Sequence, residues 1–485
     1  LYPIIAQLPD MKSLHTSYTD GFFNVSAAHG FLPAVPPLVT LPPTYEALQL
    51  VLDKMPVQLS NGEPGYLHFP GKIQEVATQI PNYLAQVKEE SDIRIIQALY
   101  RGYAFLTSAY TLEPAFQHFK QTGTYGKANN VLPSNIAQPF VAVSEKLKVF
   151  PWMDYHYGYS LGNYHKINPE GNLEWDNLSM CVKFSGQPDE AGFILLHIDI
   201  NQFSPNLVGS VLATLAAVEA NAINLVEAGL DKNLDTLTQM NIRRKEMWKA
   251  SRWQHYNDFR VFIMGVKGNE EIFGEGVTYT GVWDTPQQFR GQTGAQDDII
   301  PMEDIFTGVT RYYLKNELTD FLLDLRKYRP QCVQAFFVDL EEQVKQVHAD
   351  GLAGYLLEQS SINGLSRLLG ILEQIYHFRN GHWQFVQKYI MANTPYAKAT
   401  GGTPITTWLP NQITAVLQQM EGVMQSIALL SGTPDEKGAL LIANNQATFQ
   451  HKKQLLAEQL SMVSQETYSA DTLFSLNNRY GLSDQ

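Results

Sequence analysis

The chain has 485 residues, of which 44% are hydrophobic and 17% charged, so it can bury a large core with room for a cofactor. Its formal net charge of −13 repels phosphate backbones and anionic membrane surfaces, which argues against nucleic acid and membrane as partners. Cys181 and Cys332 are the only cysteines, too few for a disulfide framework, a four-cysteine zinc site or an iron–sulfur cluster, and a reducing cytoplasm is the expected location.

The first residues carry no basic stretch followed by a long apolar core, so they do not read as a signal peptide. No run of eighteen apolar residues occurs, so no spanning helix is expected. Residues 1–45 are proline-rich (PAVPPLVTLPPTYE) and read as an extended arm. Helical periods dominate from Tyr45 to about Tyr110, and VLPSNIAQPF (131–140) reads as a breaker-rich link. A boundary near 150 then closes a small helical domain with its linker over 46–150. FILLHIDI (193–200) fits a strand by alternation, and periodicity does not settle it. The stretch 207–250 reads as long and helical. The apolar run VFIMGV leads into a glycine-punctuated loop, and GQTGAQ (291–296) is a second loop. Asn363–Met391 has the clearest helical pattern in the chain. The TGGT segment (400–403) reads as a loop, followed by a helix from about Asn411 and another over about 438–465, with a frayed end. These elements give a large helical domain over 151–422 and a C-terminal helical extension over 423–485.

The twelve histidines include no HExxH pair, and His377 and His382 are five apart, off a common helix face. A multi-histidine metal site is therefore not readable locally, whereas a cofactor needing one protein ligand, such as haem, remains open. His382 falls on a stripe formed by Leu368, Ile371, Leu372, Ile375, Phe378, Phe385, Val386 and Tyr389. It is either a satisfied core histidine or an axial ligand. Arg379, one turn earlier, needs a carboxylate or a haem propionate if buried. Arg260, just before the VFIMGV run, is either a surface arginine at an element's end or a two-point grip for a substrate carboxylate. His197, in apolar surroundings, is either a core histidine or a partner for substrate or iron-bound oxygen. The loop GVKGNEEIFGEG lacks the GK[ST] motif of a phosphate loop, and Arg243, Arg244, Lys245, Lys249 and Arg252 read as a solvated helix face.

Several segments taken in order resemble the indoleamine 2,3-dioxygenase family: VLPSNIAQPFVAVSEKL (131–147), GFILL (192–196), FRVFIMGVKGN (259–269), GVTYTGVWDTPQQFRGQTGAQ (276–296), LLDLRKYRP (322–330), HFRNGHWQFVQKYI (377–390) and TGGT (400–403). The resemblance covers roughly Gly30 to Gly422. It implies an all-α fold, with a small N-terminal helical domain over a large helical domain that holds haem b. It implies that His382 is the proximal iron ligand and that Asp304 and Arg379 form a charged pair on that side. It implies that Arg260 grips the substrate carboxylate, that Phe193 packs on the indole, and that Tyr155, Thr293 and Thr400 line the pocket, Thr400 on a closing loop. The implied reaction inserts both atoms of molecular oxygen across the indole C2–C3 bond of L-tryptophan or a related indole, to give an N-formylkynurenine-type product.

The sequence departs from the family at three places, one of them a short loop before TGGT. His255-Tyr256 replaces a usual pair of phenylalanines, which places His255 among the expected substrate contacts. His197 replaces a small hydroxyl residue, and a distal histidine is a feature of the related tryptophan 2,3-dioxygenases, where it meets the indole N–H. The rival readings are a haem oxygenase of the same fold acting on another indole or aromatic substrate, by monooxygenation or rearrangement, and a non-enzymatic haem carrier or sensor.

Overall fold

The computed structural model describes residues 17–393 and 405–485. The fold is all-α, and its only strands among the described residues are three short pairs. Ser17–Thr19 and Asn24–Ser26 form an antiparallel hairpin. The expected extended arm is therefore partly folded, because Phe22, Phe23, Val25 and Phe31 bury their side chains in the core.

Helix Ile93–Thr122 is buried all round over most of its length, as the central helix of a multi-helix core must be. The Asp92 carboxylate caps its start by accepting from the Arg94 and Ile95 amides, and Gly123 closes its end in the left-handed region. Pro114 inside it removes the amide that would bond the Tyr110 carbonyl. The Gln74 side chain donates to that carbonyl instead, at 3.0 Å.

The segment expected as a link begins as strand Val131–Leu132 and continues as helix Ser134–Leu147. Pro139 is tolerated there because Ile136, Ala137, Phe140, Val143 and Leu147 bury one face against Ile93–Thr122. FILLHIDI is helical, within Pro188–Asn201. Proline in the first turn, followed by Asp189 and Glu190 at the positive end of the helix dipole, favours a helix start there.

The stretch 207–250 is not one helix. Asn221 turns the chain at φ 52°, separating Ser204–Glu219 from Ile223–Arg244 and a short Met247–Ala250 helix. Helix Ile362–Phe385 starts at Ser361, whose hydroxyl accepts from the Gly364 amide at 2.9 Å, and passes into a π-helical segment, Val386–Met391. The next helix, Ile405–Ala428, starts earlier than Asn411.

The last two helices, Glu436–Ser464 and Ala470–Arg479, pack back onto the protein. Lys452 pairs with Glu373 at 2.8 Å, and the Trp383 indole donates to Gln459 at 3.1 Å. The end is docked rather than frayed. Asn380 and Gln384 donate to the Leu482 carbonyl at 3.3 and 3.1 Å, and the Asp484 amide donates to Gln384 at 2.9 Å. Among the described residues, no helix is long and apolar enough to cross a membrane.

Candidate functional site

Helices Pro188–Asn201, Ile223–Arg244 and Ile362–Phe385 and the 292–297 loop converge on a cavity of about 1190 Å³, its mouth included. Phe193, Leu196, Ile200, Tyr256, Phe378, Phe385, Val386, Tyr389 and Trp408 make its walls predominantly apolar. His197 enters from Pro188–Asn201 and His382 from Ile362–Phe385. A second cavity adjoins it and shares His382, Phe378, Gly294, Asp297 and Trp408.

His382 projects into this space just before the π segment. π segments insert a residue into the helical register and often mark functional positions. Burial pushes its imidazole down to about 4, and the nearby His197, Arg244 and Arg379 add to the effect. At neutral pH it is therefore an uncharged imidazole. Among the described residues its ring nitrogens accept and donate no hydrogen bond, and its recorded ring neighbour is Trp408, edge-on at 6.3 Å. One turn back, Arg379 donates to both carboxylate oxygens of Asp304, at 2.9 Å on Oδ1, and Tyr313 also donates to Asp304. Burial disfavours the charge on Arg379, yet Asp304 and Tyr313 hold its pKa above the ordinary value.

This arrangement fits a flat prosthetic group bound by one axial nitrogen. The donor is neutral and uncommitted, and the walls are aromatic and aliphatic. The buried Trp408 Nε1–H, beside His382, has no acceptor among the described residues and would suit an acidic periphery. No cluster of three or more His, Cys, Asp or Glu suited to a metal ion exists among the described residues.

On the opposite helix, the His197 Nδ1 lies 2.9 Å from the Phe193 carbonyl. A carbonyl only accepts, so Nδ1 carries the proton and Nε2 is left as an acceptor. Burial lowers the His197 pKa, with partial opposition from Asp297 and from the Phe193 and Ile194 backbone, so this imidazole is neutral too. Phe193 lies one turn before His197 and packs on Tyr256 and Phe259 with ring centroids 5.0 and 5.7 Å away.

The other expected residues divide. Thr293 lines the cavity and caps the Gly294–Gln296 turn. Tyr155 stands just behind the lining, its ring 5.7 Å from His197 and its hydroxyl donating to Asp297 at 2.6 Å. Arg260 is fully buried behind Tyr256 and reaches the Tyr125 hydroxyl at 3.4 Å. The local reading of it as a surface arginine is therefore overturned, although it is not itself in the lining. His255 is a correction: it is not brought to the cavity but faces outward, paired with Asp258 at 3.0 Å, and its neighbour Tyr256 lines the wall instead. Thr400 lies outside the described residues.

Three contributors escaped the sequence reading. Asp297 lines both cavities. Asn201, one turn after His197, donates to it at 2.8 Å. Arg244, expected on a solvated face, is 2% exposed, lines the cavity and is paired with Asp484 from the C-terminal tail. The available signal was Gly381. A Cβ there would sit 2.0 Å from the Arg244 guanidinium, and a glycine inside a helix is a sign of such close approach.

The sequence model of the family described as indoleamine 2,3-dioxygenase matches residues 20–433. The chain belongs to that family. It is therefore an oxidoreductase of the dioxygenase class, and family enzymes depend on haem. It is 26% identical to indoleamine 2,3-dioxygenase 1 of Rattus norvegicus over 310 residues, 63% of this chain and 70% of the rat protein. It is 26% identical to indoleamine 2,3-dioxygenase acdA of Aspergillus candidus over 59% of this chain and 68% of that one. It is 23% identical to 6-hydroxytryptophan 2,3-dioxygenase fscD of Fusarium equiseti over 76% of this chain and 84% of that one. The family match ends before Glu436–Ser464 and Ala470–Arg479, so the helices that pack behind His382 lie beyond it.

Proposed function

We propose that the chain binds haem b through His382 and uses it to insert both atoms of molecular oxygen into an indole, L-tryptophan or a relative of it, opening the ring between C2 and C3. The observation that carries this reading is the pair of neutral imidazoles, His382 and His197, on the walls of one apolar cavity. When bound, the haem supplies the oxygen chemistry, which side chains alone do not.

The chain's own residues do the rest. His382 presents a neutral nitrogen to the iron, and the Arg379–Asp304 pair keeps the turn before it fixed. Phe193 and Tyr256 form an apolar face against which an indole ring loses its water. The His197 Nε2, left as an acceptor by its Nδ1 partner, takes the indole N–H. Arg260, whose side chain meets Tyr256 at the edge of that face, takes the amino-acid carboxylate. Holding the ring in one orientation turns a bimolecular encounter into a local reaction.

Reduced, haem-loaded protein given L-tryptophan and isotopically labelled oxygen tests the reading. The expected product is a ring-opened formyl amide carrying two labelled atoms. One labelled atom points to a monooxygenase of the same fold, and no turnover of any 3-substituted indole contradicts the reading.

A further inference from the structure

The wall beyond His197 carries a feature that an unsubstituted indole leaves unused. Phe193, His197 and Asn201 occupy successive turns of one face of Pro188–Asn201. From Phe193 to Asn201 the helix rises about 12 Å, comparable with the length of a tryptophan-sized ligand. The Phe193 end adjoins Tyr256, Phe259 and, behind them, Arg260. The Asn201 end adjoins Asp297.

Asp297 is the one carboxylate in the lining of the main cavity among the described residues. Its carboxylate oxygens accept from neutral donors, the Tyr155 hydroxyl at 2.6 Å, the Asn201 amide at 2.8 Å and the Ile299 backbone amide at 3.0 Å, while the Arg329 guanidinium donates to its backbone carbonyl at 3.3 Å. Its neighbour Asp298 is different. It is fully buried and bound by Arg329 and His156, each at 2.6 Å. The Asp298 carboxylate is thus paired with a guanidinium, while the Asp297 carboxylate, in the cavity wall, has no cationic side chain bonded to its oxygens among the described residues. An ionised carboxylate accepts about four hydrogen bonds, and three are taken. Covering such a group with a plain aromatic edge removes its water and returns nothing, whereas an O–H or N–H donor restores the lost bond.

We infer that Asp297, held by Tyr155 and Asn201, is a specificity residue that accepts a hydrogen bond from a hydroxyl or amino group on the benzene ring of the indole. This rests on the proposed binding of an indole amino acid. With the side chain towards Arg260 and the ring N–H at His197, the benzene carbons on the N–H side point along the helix towards Asn201 and Asp297. The preferred substrate class is therefore a ring-hydroxylated or ring-aminated tryptophan, and the reaction that supplies it is an aromatic hydroxylation or amination of tryptophan.

The test compares L-tryptophan, tryptophans hydroxylated at C6 and at C7, and 6-fluorotryptophan, which has no donor at the same position. Each is given to the reduced holoenzyme, and kcat and KM are read separately alongside equilibrium binding to the ferric form. One hydroxylated substrate is expected to exceed tryptophan in kcat/KM by about tenfold or more, with 6-fluorotryptophan below tryptophan. Asp297→Asn is expected to reduce that preference about tenfold, chiefly through KM and the binding constant. If the variant does not fold, the ranking of substrates by the unaltered protein still decides. Equal handling of the hydroxylated and unsubstituted tryptophans overturns the inference while the functional reading stands. Failure of every indole to bind or turn over overturns the functional reading and this inference with it.

Discussion

Arg244 donates to Asp484 across 240 positions of sequence, and the guanidinium lies against Gly381, the residue before His382. The C-terminal tail thus meets the wall of the cavity at its candidate ligand. Both side chains are nearly fully buried, at 2% and 8% exposed.

Removing one partner of a buried pair leaves the other charge uncompensated. Asp484→Asn is therefore expected to lower the stability of the cofactor-free protein by about 3 kcal/mol, read by urea unfolding. The same variant should release haem to a competing apoprotein faster. Asp484→Glu should recover part of both effects.

The Arg379–Asp304 pair makes a parallel case on the other side of His382. Arg379→Ala leaves Asp304 buried among apolar side chains, with the Tyr313 hydroxyl as its remaining donor partner. A loss of about 3–5 kcal/mol is expected. Arg379→Lys should recover less than half of it, because an ammonium cannot make the two-point contact. Thermal unfolding of the three proteins at one pH provides the check.

Glu303, beside Asp304, gives a pH dependence of known sign. Burial raises its pKa to about 8, against a partial lowering by the Asn233 amide at 2.9 Å. A carboxyl with a raised folded pKa contributes stability that is complete below its unfolded pKa and is lost as pH rises through the folded value. Glu303→Gln should accordingly gain stability relative to the parent between about pH 4.5 and 8, with little difference below pH 4. Chemical unfolding at pH 4, 6 and 8 reads the trend, and a constant difference across that range would contradict it.

The distal imidazole makes a separate prediction. His197→Ala removes the acceptor for the indole N–H, so tryptophan should lose affinity by about tenfold. 1-Methyltryptophan, which has no N–H, should lose much less. Titration of the ferric holoprotein with both ligands separates a hydrogen-bonding role from simple packing.

What the sequence made legible depended on range. His382 sat on a stripe with helical spacing, so its helix and its burial were readable, and Arg379 one turn away announced a need for a partner. Asp304 as that partner came from the family resemblance, since no local pattern links positions 75 apart. The helical state of FILLHIDI was written in Pro188, Asp189 and Glu190, just upstream of the ambiguous segment. His255 misled because adjacent residues near a helix start face different ways, and Tyr256 took the inward position. Arg244 and Asp297 were invisible for a common reason: their roles depend on Asp484 and on Tyr155 and Asn201, which only the folded chain brings near.

The central claim is that His382 holds the haem, and the absorption spectrum of the haem-loaded protein tests it most directly. The account predicts a Soret band that His382→Ala abolishes or strongly shifts while the far-ultraviolet circular dichroism stays helical, and that added imidazole restores in part. An unchanged Soret band in a folded His382→Ala protein would contradict it.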